Sequence, residues 1–360
     1  MSVNTAPDYL HTALTDLLGC RYPIISAGMG GPARSELAAA VSAAGGFGLL
    51  GMVRESPELI EREIAAVRAA TPCPFGVNLI PSATEATLFA AELDVCLAAR
   101  VPALCFFWDV VPDAVKRAKN AGAIVLYQVG SLEDALAAQQ AGADAVIVQG
   151  IEAGGHVRGR AGLLTLLPEV ARRLQVPVVA SGGIATGGGL IAALALGAAG
   201  VHCGTAFLAT HESFAHDYHK QRICEARAGD TVYTDLFAIN WPPNSPVRVL
   251  ANSVTAKAGG QLFGYHPDTL PREVIAHDDG RPLYLYSTDS PLRSTTGELE
   301  RMALFAGESS ALVNERTSAA EVIERVVAEA LEVRRRIGAG GAGGADEEGD
   351  RPDTSDNQHP

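Results

Sequence analysis

The stretch VIVQGIEAGGH, residues 146–156, sets the pattern from which the fold can be read. Its first part is a short run of apolar, mostly β-branched residues, which is typical of a strand buried on both faces. The run ends in a glycine-rich loop, where the backbone can approach a ligand closely. The loop leads to His156, and imidazole is the side chain that ordinarily titrates near neutral pH. These features fit a catalytic loop and a structural turn with a surface histidine equally well.

The same unit, an apolar run followed by a turn and an alanine-rich segment, repeats along the chain. The apolar runs predict eight strands, at Pro23–Met29, Phe47–Gly51, Phe75–Ile80, Ala103–Trp108, Ala123–Val129, Ala145–Gln149, Val176–Ser181 and Val201–Phe207. The segments between them predict helices at Ser35–Ala44, Pro57–Ala70, Glu85–Ala99, Pro112–Ala121, Leu132–Ala141, Leu163–Leu174 and Gly189–Leu196. Helix-start signals such as Ser56-Pro57 support these assignments.

Each predicted strand is apolar throughout rather than alternating, which is typical of a parallel sheet covered by helices. Eight such units favour closure into a (β/α)8 barrel, the TIM barrel, over a doubly wound open sheet. The open sheet loses its best support because AGMGG, residues 27–31, lacks the G-x-G-x-x-G spacing of a dinucleotide-binding turn. We therefore predict an α/β protein whose TIM barrel spans residues 18–209.

The pattern changes after the eighth predicted strand. Residues 210–300 are richer in polar and aromatic side chains, and WPPN at 241–244 breaks the periodicity. This stretch is too long for an ordinary loop, so we predict a small, partly helical insert that covers the barrel mouth and the substrate. Residues 301–337 predict a C-terminal helical segment that completes the barrel. Residues 338–360 are rich in Gly and Ala and then acidic, which predicts a disordered tail.

Composition and charge exclude several classes of partner. The formal net charge is −13 and no basic patch is present, which argues against nucleic acid or an anionic membrane. The six cysteines are scattered without metal-ligand spacing, as in a cytoplasmic protein with reduced thiols. No signal peptide and no membrane-spanning stretch is evident. A homodimer is compatible with the sequence.

Three histidines, His211, His216 and His219, raise the question of a metal site. His216 and His219 would share one helix face, but no carboxylate or cysteine completes a convincing ligand set. We therefore predict a solvated helix face there and no metal.

The strand ends define the expected active site, because TIM barrels bind their ligands at the C-terminal ends of the strands. Glycines after strands seven and eight can form nests of backbone N–H groups that suit a phosphate. Amides after strands three, five and six suit the imide edges of a flavin, which together with the phosphate favours FMN. The predicted cofactor-binding residues are Ala27, Gly28, Met29, Asn78, Gln128, Gln149, Gly154, Gly155, Ser181, Gly182, Gly183, Gly204 and Thr205.

Several of these segments together resemble one enzyme family. PIISAGMGG at 23–31, FGVNL at 75–79, VQGIEAGGH at 148–156, ASGGI at 180–184 and GTAF at 204–207 are similar to the nitronate monooxygenases, formerly 2-nitropropane dioxygenases. The resemblance runs from about residue 18 to residue 333. It implies an FMN-containing barrel in which His156 is the catalytic residue. It also implies flavin contacts from Asn78, Gln128, Gln149, Gly155, Ser181, Gly183, Gly204 and Thr205.

The implied reaction is oxidation of alkyl nitronates or nitroalkanes by O2 to carbonyl compounds and nitrite, with His156 as the base. Two departures stand out, since many relatives have Arg directly after the histidine and Gly-Gln where this chain has Gly307-Glu308. The wider superfamily also contains NAD(P)H-dependent quinone reductases and enoyl-thioester reductases, so an NAD(P)H-dependent flavin oxidoreductase is the alternative. A third hypothesis is a non-redox barrel that binds a phosphorylated metabolite, which the neutral amides at the mouth disfavour.

Overall fold

The computed structural model describes residues 8–342, with side chains described from residue 9 to residue 338. Eight short strands alternate with helices and form the main sheet. These strands are β1 (Ile24–Ser26), β2 (Gly48–Gly51), β3 (Phe75–Leu79), β4 (Ala103–Phe107), β5 (Ile124–Val129), β6 (Ala145–Gln149), β8 (Val178–Ser181) and β9 (Gly200–Cys203), while β7 (Gly155–His156) lies in the loop after β6. The helices of this part are α1 (Ala13–Leu18), α2 (Ser35–Ala43), α3 (Pro57–Ala70), α4 (Ala86–Ala98), α5 (Pro112–Asn120), α6 (Leu132–Ala141), α7 (Leu163–Ala171), α8 (Gly187–Ala195) and α9 (Thr205–Leu208).

The sheet order is β1, β9, β8, β6, β5, β4, β3, β2, and each neighbouring pair is parallel. The two outer strands meet at a parallel bridge between Ile25 and Phe47. There the Phe47 N–H donates to the Ile24 carbonyl at 2.9 Å. This contact brings the sheet round into a barrel, so the predicted TIM barrel is confirmed.

The barrel interior is filled by apolar side chains, as a barrel of this size requires. Phe47, Leu126 and Ile147 are fully buried there. Helix α1 packs Leu14 and Leu18 against the same cluster. Because Leu14 also contacts Gly200 at the start of β9, α1 covers the N-terminal end of the barrel. The opposite end, where the strands finish, remains accessible.

The eighth barrel strand is shorter than predicted. The sequence predicted a strand over Val201–Phe207, but β9 ends at Cys203 and α9 begins at Thr205. The apolar run continues through both elements, and an apolar run alone does not distinguish a buried strand from a buried helix.

The insert contains two small antiparallel sheets that the sequence did not predict. The first joins β10 (Thr231–Thr234) and β11 (Val247–Leu250) to β7. The second joins β12 (Val274–Asp278) to β13 (Arg281–Tyr284) and β14 (Thr296–Gly297). Its helices are α10 (Asp217–Cys224) and α11 (Ser253–Lys257). Strands of two to five residues with mixed polarity carry little periodicity, which explains why they were missed.

The C-terminal segment begins with a 3-10 helix at Glu308–Leu312, and α12 spans Ala319–Ala342. The helix packs on α8, where the Gly187 N–H donates to Glu329 Oε2 at 2.7 Å. It continues past the predicted boundary at residue 338, because extending a formed helix costs less than starting one. The rest of the predicted tail lies outside the described residues. Among those residues, no helix combines the length and the apolar character that a membrane crossing needs.

Candidate active site

A cavity of about 760 Å3 lies at the C-terminal ends of the barrel strands. Its volume falls within the range of about 300–1,000 Å3 that is usual for ligand pockets. All the residues that the sequence placed at the site line this cavity: Ala27, Gly28, Met29, Asn78, Gln128, Gln149, Gly154, Gly155, His156, Ser181, Gly182, Gly183, Gly204 and Thr205. The insert forms much of the remaining wall, with Asn240, Trp241, Asp278, Arg281 and Asp289 among its residues.

Two turns, after β8 and after β9, present free backbone donors to the cavity. Gly182 and Gly183 are both left-handed, with φ of +107° and +70°, which turns successive N–H groups toward one side. Within residues 8–342, the N–H groups of Gly183, Gly204 and Thr205 have no protein acceptor. Free N–H groups beside the hydroxyls of Ser181 and Thr205 suit a phosphate dianion. The donor set therefore fits the phosphate of a mononucleotide.

The three amides differ in how much of each is free. Asn78 Nδ2 donates to the Cys105 carbonyl at 3.0 Å. Both ends of the Gln149 amide are engaged with the loop that carries His156, as described below. The side chain of Gln128 makes no hydrogen bond with another described residue, and Gln128 lines the cavity, so its amide is free to meet a ligand. Gln128 is thus the amide best placed to meet a heterocycle edge.

The backbone of His156 is held from two sides. From the barrel, Gln149 Nε2 donates to the His156 carbonyl at 2.9 Å, and Gln149 Oε1 accepts from the Arg158 N–H at 3.0 Å. From the insert, β11 pairs Val247 with His156. Val157 is buried and its N–H donates to the Pro246 carbonyl at 2.9 Å. The histidine therefore sits on a short strand that both parts of the protein fix.

The imidazole of His156 is surrounded by aromatic rings. Trp241 stacks on it, with ring centroids 3.7 Å apart and an interplanar angle of 15°. Trp108 meets it edge-on at 6.0 Å, and Phe305 lies tilted at 5.9 Å. Both ring nitrogens are buried and lack a hydrogen-bond partner among the described residues. Such orphaned nitrogens in a cavity wall are typical of a group that is completed by a ligand.

Burial lowers the pKa of His156 to about 3, the Arg54 charge acts in the same direction, and a backbone contact at Ser245 weakly opposes them. The imidazole is consequently neutral at physiological pH. A neutral imidazole can accept a proton, whereas an imidazolium could only donate one.

Glu152, in the same loop, has a structural partner. Its carboxylate accepts the Leu163 N–H at 2.9 Å and so caps the start of α7. Its backbone carbonyl accepts the Glu308 N–H at 3.0 Å. Glu308 itself forms an ion pair with Arg248 at 3.3 Å, and Arg248 donates to the Ile151 carbonyl. Glu152 and Glu308 therefore both hold the loop in place, and neither lines the cavity.

The cavity residues that the sequence analysis missed include four that lie near His156 or Ser181: His202, Trp241, Phe305 and Arg54. His202, on β9, is buried, and its Nδ1 lies 2.9 Å from Ser181 Oγ. Burial lowers the pKa of His202 to about 4. Its place just before Cys203-Gly204 at a strand end could have signalled it. Trp241, Phe305 and Arg54 reach the site only through the packing of the insert and a loop, which no local pattern indicates.

Two of the three histidines considered as a metal site have structural roles. His216 caps α10, where its Nδ1 accepts the Tyr218 N–H at 3.0 Å. His219 is fully buried, with Nε2 3.0 Å from the Phe305 carbonyl. The predicted solvated face is therefore wrong for His219, because packing of the insert against α10 covers it. Within residues 8–342, no group of three or more potential metal ligands comes together.

Solved structures with the same fold include two at more than 30% identity. A FabK structure from Thermotoga maritima matches with a TM-score of 0.77 and 31% identity, over 91% of this chain and 99% of that chain. A nitroalkane oxidase from Streptomyces ansochromogenes matches with a TM-score of 0.74 and 32% identity, over 91% and 100%. With the cavity described above, these similarities define a TIM-barrel oxidoreductase.

The sequence comparison narrows this class. The model of the family described as nitronate monooxygenase matches residues 11–91 and 81–329. A probable nitronate monooxygenase of Staphylococcus saprophyticus is 32% identical, over 91% of this chain and 99% of the relative. One from Bacillus subtilis is 38% identical over 60% and 74%. The chain belongs to the nitronate monooxygenase family, as the motifs predicted.

Proposed function

We propose that the cavity binds FMN. The free N–H groups of Gly183, Gly204 and Thr205 would hold the phosphate, with help from the hydroxyl of Ser181. The unpaired amide of Gln128 would meet the polar edge of the isoalloxazine. When bound, FMN supplies a redox centre that takes electrons from the substrate and returns them to O2.

The visible spectrum of the purified protein tests this assignment. We expect flavin absorbance, and we expect acid to release FMN rather than FAD, because the donors described here suit one terminal phosphate. A colourless protein that does not take up added FMN would contradict the proposal.

We further propose that the protein oxidises alkyl nitronates or nitroalkanes with O2, forming a carbonyl compound and nitrite. The observation that carries this proposal is the neutral imidazole of His156 in an aromatic wall with both nitrogens unpartnered. One nitrogen can accept the α-proton of a nitroalkane, so that the C–H bond breaks and its electron pair moves toward the nitro group. The apolar surroundings suit a short alkyl chain.

A base with a pKa of about 3 is weak, so the bound substrate must raise the pKa of His156 for proton transfer to occur. Proton transfer places an imidazolium beside a nitronate anion. At about 4 Å and an effective dielectric constant of about 20, that pair gains about 4 kcal/mol. Because one pKa unit corresponds to about 1.36 kcal/mol, this gain would return the pKa of His156 close to its ordinary range in the complex. The aromatic wall thus favours proton transfer only when the product is an anion.

His156→Asn tests the role of the imidazole. We expect the variant to retain FMN and to lose nitrite release by about 100-fold or more, the usual contribution of a positioned base. His266→Asn is the matched control, because His266 is exposed on the insert and does not line the cavity. Unchanged kcat/KM in His156→Asn would refute the catalytic role.

The alternative, an NAD(P)H-dependent flavin oxidoreductase, is favoured by the similarity to FabK. It is also favoured by the outer part of the cavity, where Arg281 pairs with Asp289 at 3.1 Å and could meet a polar substrate. Oxidation of NADH or NADPH that depends on a quinone or an enoyl thioester would support this alternative. Its absence, with nitrite release from nitroalkanes, would support the first function.

A further inference from the structure

The parallel stacking of His156 on Trp241 is the starting point for a further inference. Trp241 follows β10, in the insert, whereas His156 follows β6, in the barrel. The two rings are only 15° from parallel, while Trp108 and Phe305 meet the imidazole at 85° and 50°. Trp241 is therefore the wall residue that covers a face of the imidazole.

Arg54 holds Trp241 in this position. Its guanidinium lies over the indole, with Cζ 4.5 Å from the ring centroid. Its Nη1 donates to the carbonyl of Asn240, the residue before Trp241. Its Nε donates to the Ala83 carbonyl at 2.8 Å. The loop after β2 is thus tied to the insert at the residue that stacks on His156.

By distance and angle, neither nitrogen of His156 has a hydrogen-bond partner among the described residues, and the Ser245 backbone is only a nearby contact. No hydrogen bond of good geometry therefore fixes the plane of the imidazole. The backbone is held by Gln149 and β11, but rotation about the side-chain bonds is limited only by packing. We propose that Trp241, clamped by Arg54, is a positioning residue for His156 that fixes the plane of the imidazole and shields its nitrogens from water. The catalytic consequence of this proposal rests on the proposed function, whereas the stack itself does not.

The charges around His156 agree with this role. Arg54 lies in the loop after β2, with its guanidinium over the indole of Trp241. Its positive charge disfavours protonation of His156, which stacks on the same indole. Arg158, from the loop after β7, lies over Trp108 at 5.6 Å, and its charge is balanced by Asp109 at 2.8 Å. From the insert and the segment at Phe305, the contacts are aromatic or backbone. Arg54 is therefore the charged group that both holds Trp241 and lowers the pKa of His156.

NMR titration of the purified, flavin-loaded enzyme with labelled histidine tests the proposal without turnover. The His156 signal is assigned by its loss in His156→Asn. In the unmodified enzyme we expect no titration of this signal between pH 5 and 8. In Trp241→Leu we expect the signal to lose its ring-current shift and to titrate inside that window. Trp241→Phe keeps a stacking ring and should behave like the unmodified enzyme.

Arg54→Met should also bring the His156 titration into the window, while Arg117→Met, which removes an exposed guanidinium that does not line the cavity, should not. If Trp241→Leu does not fold, the Arg54 pair still decides the question. An unshifted, non-titrating His156 signal in both Trp241→Leu and Arg54→Met would overturn the proposal.

Turnover separates this proposal from the proposed function. With nitroalkane as substrate, we expect kcat/KM to fall on the order of 100-fold in Trp241→Leu, as for a misplaced catalytic group, and to recover in Trp241→Phe. A normal His156 signal in an enzyme that releases no nitrite would refute the function and leave the stack intact. Full activity in Trp241→Leu despite a shifted signal would refute the positioning role.

Discussion

Replacing Gln149 by leucine tests whether this amide holds the loop that carries His156 or serves mainly as a flavin contact. Its side chain joins the His156 carbonyl at 2.9 Å and the Arg158 N–H at 3.0 Å. Leucine has a similar size but leaves both backbone groups without a partner. An unsatisfied buried polar group costs about 1–3 kcal/mol, and the cavity beside the loop admits water, so we take the lower value for each.

The expected loss in the free energy of unfolding is therefore about 2 kcal/mol, equivalent to a 30-fold change in the unfolding equilibrium constant. For a chain of this size, the melting temperature should fall by roughly 3 °C. Loosening of His156 should also lower kcat/KM for nitroalkane on the order of 100-fold, with FMN retained.

Urea unfolding and nitrite release measure these effects in parallel. Gln221→Leu is the matched control, because Gln221 makes a single exposed hydrogen bond to Glu225 and should cost less than about 0.5 kcal/mol. Loss of FMN from Gln149→Leu with unchanged stability would refute the role of Gln149 in holding the loop. It would instead indicate that the amide contacts the flavin.

Three further changes test other parts of the site. Gly183→Ala, at a φ of +70°, should strain the turn and weaken FMN at least tenfold in equilibrium dialysis, and unchanged affinity would contradict the phosphate nest. Glu152→Ala should lower the free energy of unfolding by about 1 kcal/mol, because α7 loses its cap, while Glu152→Gln should recover most of the loss in the same urea assay. Stability should also fall as the pH drops below about 6.5, since His156, His202 and His219 stay neutral in the folded protein, with pKa values of about 3, 4 and 4, but ionise in the unfolded chain. Each can contribute a slope of up to about 1.4 kcal/mol per pH unit, so His219→Gln should flatten the profile, and an equally steep profile would contradict its burial as the cause.

The barrel could be predicted because its strands are buried on both faces and so appear as apolar runs, as VIVQ at 146–149 does. The glycine turns after β8 and β9 could be predicted for a similar reason, since each follows directly from a strand end. In both cases the feature is determined by residues that are neighbours in the sequence.

The wall around His156 could not be predicted, because it depends on contacts between distant segments. Trp241 and Phe305 reach the imidazole only after β11 has paired with β10 and with β7. The role of Gln149 was obscured for the same reason, since its partners lie in the loop that the insert also fixes.

The most direct test of the central claim is anaerobic mixing of the flavin-loaded enzyme with nitroethane or with NADH, followed by flavin absorbance. We predict that nitroethane bleaches the flavin, that readmitted O2 restores the colour, and that His156→Asn abolishes the response while NADH has no effect. Rapid bleaching by NADH without a response to nitroethane would contradict the account and assign the site to the reductase alternative.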